Sequence, residues 1–205
     1  MNWLKEQNRK TRKFIRGDFG DVLWMCAVAF GVLILAGFVL GMLNEGLTTG
    51  MIQRFSAQIE DMDIVRDDGS IRALGLLKNN LTATFFTVAY GFIPFLFLPV
   101  IALGVNSLIL GVFAANYVRN GISLLLYVSA LIPHGIFEIP AIVIAIALGL
   151  HLCRQITYYV RKNPKDVMVP LLKNILRVML LRVAPLLVVA SVIEAYVTPW
   201  IVSLF

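Results

Sequence analysis

Charge is scarce in this sequence: Asp, Glu, Lys and Arg supply 15% of its 205 residues, where soluble domains run near a quarter. An ordinary soluble globular chain is excluded on that ground. There are only two cysteines and two histidines. Cys26 and Cys153 fall in or at the edge of apolar runs, which reads as ordinary buried thiols and excludes a disulfide framework. No stretch alternates apolar and polar residues as a barrel strand does. No Ser/His or Cys/His pairing stands in the context that nucleophilic catalysis needs, and the apolar runs leave no room for a large soluble catalytic domain. The chain therefore reads as non-enzymatic, with no cofactor.

What fills the sequence is hydrocarbon. Hydrophobic residues make up 59% of it and the mean hydropathy is +0.83, the profile of an integral membrane protein. The expected fold class is all-α, a polytopic membrane helix bundle of about five transmembrane helices with peripheral amphipathic helices. The whole chain is read as a single membrane domain.

The runs are taken in chain order. Residues 1–20 hold Lys5, Arg9, Lys10, Arg12, Lys13 and Arg16 among Trp3, Leu4, Phe14 and Ile15, a basic juxtamembrane segment able to lie on headgroups. The apolar stretch that follows is too long for a signal peptide. Val22 to Leu43 is the first span, with Trp24 as an interfacial anchor and a Gly37/Gly41 GxxxG that suits close packing and a homodimer. Residues 44–78 form the one polar insert. Ile52, Phe55 and Ile59 recur there at helical spacing, Asp67-Asp68-Gly69-Ser70 reads as a turn, and the carboxylates at 61, 63, 67 and 68 lack EF-hand order and read as a solvated acidic loop. Leu81 to Val118 carries no charge over 38 residues, enough for two crossings, with Gly91, Pro94 and Pro99 supplying the break and the tight turn near 92–97.

The fourth span, Ser123 to Cys153, is long or broken. Pro133, His134 and Gly135 predict a break or kink in it, because proline brings no amide hydrogen and glycine is conformationally free. Residues 154–182 then hold seven basic residues and one acid around an Asn163-Pro164 turn and an amphipathic stretch from Pro170 to Arg182. The last span runs from Val183 to about Phe205, with a bend or end expected near Thr198-Pro199.

Basic blocks at 1–20 and 154–182 place both on the cytoplasmic side, and the insert, with four basic and six acidic residues, outside. Five crossings follow, with the N-terminus cytoplasmic and the C-terminus extracytoplasmic. The net charge of +6 lies in blocks beside spans, so its partner is the lipid bilayer and not nucleic acid.

Ionisable groups inside such spans are functional candidates. His134 and Glu138 share a helix face one turn apart. Glu194 stands alone in the last span and needs a partner, His134 or an asparagine of another span. Asn80 and Asn106 complete the expected buried polar cluster of His134, Glu138, Glu194, Asn106 and Asn80, with Pro133, Gly135 and Pro199 as helix breaks. HxxxE is half of a zincin pattern without its second histidine, and His151 is too far along the helix to complete it, about 25 Å away. No metal site is therefore expected from spacing alone. Two roles remain for the cluster: fixing helix packing, or carrying protons or ions.

PHGIFEIPAIVIAIALGLHL from Pro133, IEAYVTP from Ile193, KNNL from Lys78 and NSLILG from Asn106 together resemble the stage II sporulation protein M family over nearly the whole chain. The family's usual second Asn-Gly pair stands here as Asn106-Ser107. The resemblance implies a multi-span protein without chemistry of its own, a membrane scaffold or assembly subunit that localises extracytoplasmic, peptidoglycan-degrading partners. It singles out His134, Gly135, Glu138, Glu194 and Pro199. The alternative is a small transporter or channel, proton-coupled through the His/Glu cluster.

Overall fold

A computed structural model describes residues 2–60, 64, 71–162 and 168–204. The expected Asp67–Ser70 and Asn163-Pro164 turns, the carboxylates at 61, 63, 67 and 68, the side chain of Ile59 and the terminal Phe205 lie outside the described residues. The fold is all helix, and the described residues contain no strand. Seven helices are labelled here α1 (Asn2–Ile15), α2 (Asp18–Leu43), α3 (Glu45–Glu60), α4 (Ala73–Ala89), α5 (Pro99–Arg119), α6 (Leu124–Lys162) and α7 (Met168–Val202). Of these, α2, α5, α6 and α7 are long and apolar enough to cross a membrane. The fifth expected crossing is the short one: α4 has 17 residues, begins earlier than Leu81, and ends in a single 3₁₀ turn at Tyr90–Phe92.

The chain reverses between α4 and α5 where Pro94 and Pro99 are placed, and Phe95 and Phe97 there adopt left-handed backbone, φ 69° and 47°. The end of α6 holds this turn: the Phe95 amide donates to Thr157 Oγ1 at 3.1 Å, and the Arg161 guanidinium lies 5.4 Å from the Phe95 ring.

The expected break at Pro133-His134-Gly135 is absent. α6 runs unbroken for 39 residues through Pro133 and Pro140, a rise of about 58 Å against the ~30 Å of a hydrocarbon core. Each proline removes one backbone donor, but neighbouring turns and the helices packed around α6 hold the helical path. α6 is the axis of the bundle: 56% of its apolar window is buried, against 22–33% for the other three long helices. Ala141, Ala145, Ala147 and Leu148 are fully covered.

The prolines of the last helix act differently. Wide π turns at Met179–Val183 and Ile193–Val197 precede Pro185 and Pro199. A proline ring clashes with the carbonyl one turn back, and widening that turn relieves the clash while keeping the helix continuous. The basic amphipathic segment and the last span are thus one helix rather than two.

Small residues set the tightest contact. α2 and α5 run parallel, and a Cβ on Gly37 would meet the Leu108 backbone while one on Gly111 would meet Ile34 and Phe38. Ser107, Gly111 and Ala115 form the facing stripe, with Ser107 fully buried and donating to Leu103 O at 2.6 Å. The serine at the position of the family's second Asn-Gly pair therefore leaves the contact close. The Gly37/Gly41 motif is used inside the chain, so it lends nothing to a dimer.

Helix order defines two ends. One holds α1, the start of α2, the α4–α5 turn, the end of α6 and the start of α7; Arg177 and Arg182 reach Gln7 and Asn8 there at 2.7 and 3.0 Å. The other is tied by Arg119, which bonds Met42 O at 2.9 Å and Glu45 at 2.7 Å. At that second end α3 folds back on α5, Phe55 edge-on to Phe113 at 5.2 Å.

Candidate functional site

Three helices converge on one polar spot in the half of the bundle nearer the second end. α4 brings Asn80, α6 brings His134 and Glu138, and α7 brings Glu194 and Thr198. His134 lies about 15 Å of helix rise from the start of α6. Parallel α4 and antiparallel α7 place their own polar residues at the same height, which is why groups distant in sequence meet.

Asn80 Nδ2 donates to Glu138 Oε1 at 2.9 Å. Asn79 donates in turn to Asn80 Oδ1 at 3.4 Å. The other carboxylate oxygen, Glu138 Oε2, faces His134 Nε2 at 4.0 Å, beyond hydrogen-bond reach. On its far side the imidazole shares a 3.3 Å hydrogen bond between Nδ1 and Thr198 Oγ1. That bond holds the ring so that Nε2 points at the carboxylate. Glu194 closes the group: one donor atom from each of His134, Glu138 and Glu194 lies within 4.8 Å of the others. Glu194 makes no hydrogen bond or ion pair among the described residues, and the side chains of His134 and Glu138 are 13% and 20% exposed.

Two carboxylates beside each other in a low-dielectric bundle cannot both stay ionised without compensation. A proton, a water-borne charge or a cation must stand among them. The three ligand atoms are of the nitrogen and oxygen type that a divalent ion accepts. Tetrahedral zinc places its ligands about 3.4 Å apart, so the trio would need to close by roughly 1 Å to hold one.

Of the residues singled out from sequence, His134, Glu138, Glu194 and Asn80 come together. Asn106 does not join them: it sits in the half of α5 nearer the first end and donates to its own helix at Ala102 O, 2.8 Å. Pro133 and Gly135 flank the histidine within continuous helix, and Pro199 follows the π turn that carries Glu194. Thr198 was missed, although the Glu-to-Pro motif contains it; a hydroxyl is common in spans and signals nothing until its partner is known.

The remaining histidine is elsewhere. His151 stands beside the stacked rings of Phe14 and Phe19, edge-on to each at 5.6 and 5.7 Å. Both cysteines are free and buried, and Cys153 Sγ donates to Ile93 O at 3.3 Å.

Comparison with known proteins gives two matches. The family model described as Stage II sporulation protein M aligns with residues 22–199, a range that contains every member of the polar cluster. An uncharacterized protein of Methanocaldococcus jannaschii is 33% identical over 129 residues, covering 62% of this chain and 71% of the relative. No solved structure matches.

Proposed function

The chain belongs to the stage II sporulation protein M family, and we propose that it serves as a non-enzymatic membrane scaffold whose buried polar cluster fixes the register of three helices. The observation that carries this reading is a pair of interhelical bonds one turn apart on α6, Asn80–Glu138 to α4 and His134–Thr198 to α7. Lipid offers helices no hydrophobic preference for one neighbour over another, so directional side-chain bonds and close packing decide which face meets which. By the positive-inside rule the end built from α1, the close of α6 and the start of α7 is cytoplasmic, and α3 with the following insert faces outward. That outer segment is the surface offered to envelope-remodelling partners, as the family resemblance implies.

The test is assembly. Replacing Glu138 by alanine should lower the monodisperse yield of the detergent-purified protein and its thermal midpoint. Full assembly of that variant together with loss of a proton or solute flux in liposomes overturns the scaffold reading.

The trio of His134, Glu138 and Glu194 supports a second reading, a proton- or cation-coupled transporter. Wild-type protein in liposomes would then dissipate an imposed pH gradient, and Glu194→Gln would stop it without loss of assembly. No flux above empty liposomes removes this reading.

A further inference from the structure

At the end of the bundle opposite the polar cluster lies a cavity of about 610 Å³ between α1, the start of α2, the end of α6 and the start of α7. Among the described residues its lining carries Lys10, Lys13, Lys173 and Arg177 against the single carboxylate Asp18. We propose that this cavity binds the phosphate headgroup of an anionic glycerophospholipid.

Four features of the lining lead there. Arg177 is already oriented as a cradle: Nε donates to Gln7 at 2.7 Å and Nη1 to Asn174 at 2.6 Å, leaving Nη2 unbonded among the described residues. Guanidinium held in this way suits phosphate oxygens. Lys13 and Lys173 make no ion pair among the described residues, whereas Lys10 is 2.6 Å from Glu6, and this contact holds the Glu6 carboxyl below its ordinary range. The helix α2 opens on the cavity with Gly17 as its N-cap and no side-chain cap, so its first amides and its dipole favour an anion.

The fourth feature is an unmet polar group. His151 lines the cavity at 3% exposure, and its enclosed Nδ1 has no hydrogen-bond partner among the described residues. The bundle has enclosed a polar ring there without supplying anything for it to bond.

The choice of a lipid over free phosphate comes from the cavity's rim. Val169 lines it and is exposed, and Leu172 and Leu176 continue the same exposed apolar face of α7, with Trp3 and Leu4 exposed on α1. Amphipathic helices of this kind lie at the headgroup level, with basic groups above and apolar groups among the acyl chains. A bound phosphodiester therefore has its acyl chains beside apolar surface rather than in water.

The full-length protein, released from membranes in a non-ionic detergent, is incubated with phosphatidylglycerol, phosphatidylcholine or inorganic phosphate, and retained ligand is counted by native mass spectrometry. Wild type should retain phosphatidylglycerol over phosphatidylcholine, and Lys13→Gln with Lys173→Gln, both exposed and safe for folding, should weaken retention by about tenfold. Lys5→Gln with Arg9→Gln removes equal charge from α1 outside the lining and should leave retention within about twofold. Equal retention of phosphatidylcholine, equal loss in both double variants, or undiminished retention in the Lys13/Lys173 variant overturns the site. Displacement of the lipid by inorganic phosphate at equal concentration assigns the cavity to free phosphate and overturns the lipid.

Discussion

His134 and His151 stand on one helix, about 25 Å of rise apart, in opposite company. His134 meets a hydroxyl on one side and a carboxylate on the other. His151 meets two phenylalanine rings, and its Nδ1 has no partner among the described residues. The first sits where three helices exchange polar contacts. The second sits below a basic cavity roofed by two amphipathic segments. The difference teaches that a polar residue in a membrane bundle is defined by its neighbours from other helices: α6 gives His134 the Glu138 carboxylate, but Asn80 of α4 and Thr198 of α7 hold that pair, whereas α1 and α2 bring His151 aromatic rings.

The comparison is broken most sharply at Glu138. Glu138→Ala leaves the Asn80 amide without its acceptor and opens a gap beside His134, and should cost about 2 kcal/mol of stability, read as a lowered midpoint of thermal unfolding in detergent. An unchanged midpoint would show that the polar end contributes no more to packing than the aromatic end. Glu194→Gln is expected to act in the other direction, raising stability by about 1 kcal/mol, because it removes a carboxylate that has no hydrogen-bond donor among the described residues and lies beside a second carboxylate.

Smaller effects sharpen the contrast. A double-mutant cycle of His134→Ala with Thr198→Val should return a coupling of about 0.6 kcal/mol, the usual scale of an interhelical hydrogen bond in a bundle. Zero coupling would mean that Thr198 only fills space. His151→Phe should change stability by less than about 0.5 kcal/mol, because the new ring trades an unbonded nitrogen for apolar contact with Phe14 and Phe19. The same change should reduce retention of anionic lipid if His151 serves the cavity above it.

Much of the fold was legible in local chemistry. The 38-residue uncharged run from Leu81 had to turn, and Pro94 and Pro99 marked where. The i, i+4 spacing of His134 and Glu138 put both on one face, and the isolation of Glu194 demanded a partner elsewhere in the bundle. Other features were not legible because they depend on neighbours. Pro133 and Gly135 argue for a break, yet α6 is gripped on several sides and continues through them. Pro185 and Pro199 carry the same local signal, and there the chain answers with wide π turns. Asn106 looked equivalent to Asn80, but parallel packing of α4 on α6 brings Asn80 to the height of Glu138, while Asn106 turns back on Ala102. Gly37 and Gly41 predicted a close contact correctly without saying that its other side would be α5 of the same chain.

Sequence alone determined that this is a helical membrane protein, since the length and apolarity of a run and the position of its charges are properties of consecutive residues. It also determined which few ionisable groups must avoid lipid. Which of them meet was decided only by tertiary structure. In hydrocarbon every apolar helix face is nearly equivalent, and the choice among faces rests on close fit at glycines, whose spacing does not name the partner helix, and on hydrogen bonds between residues 58 to 64 positions apart, which leave no periodic trace along the chain.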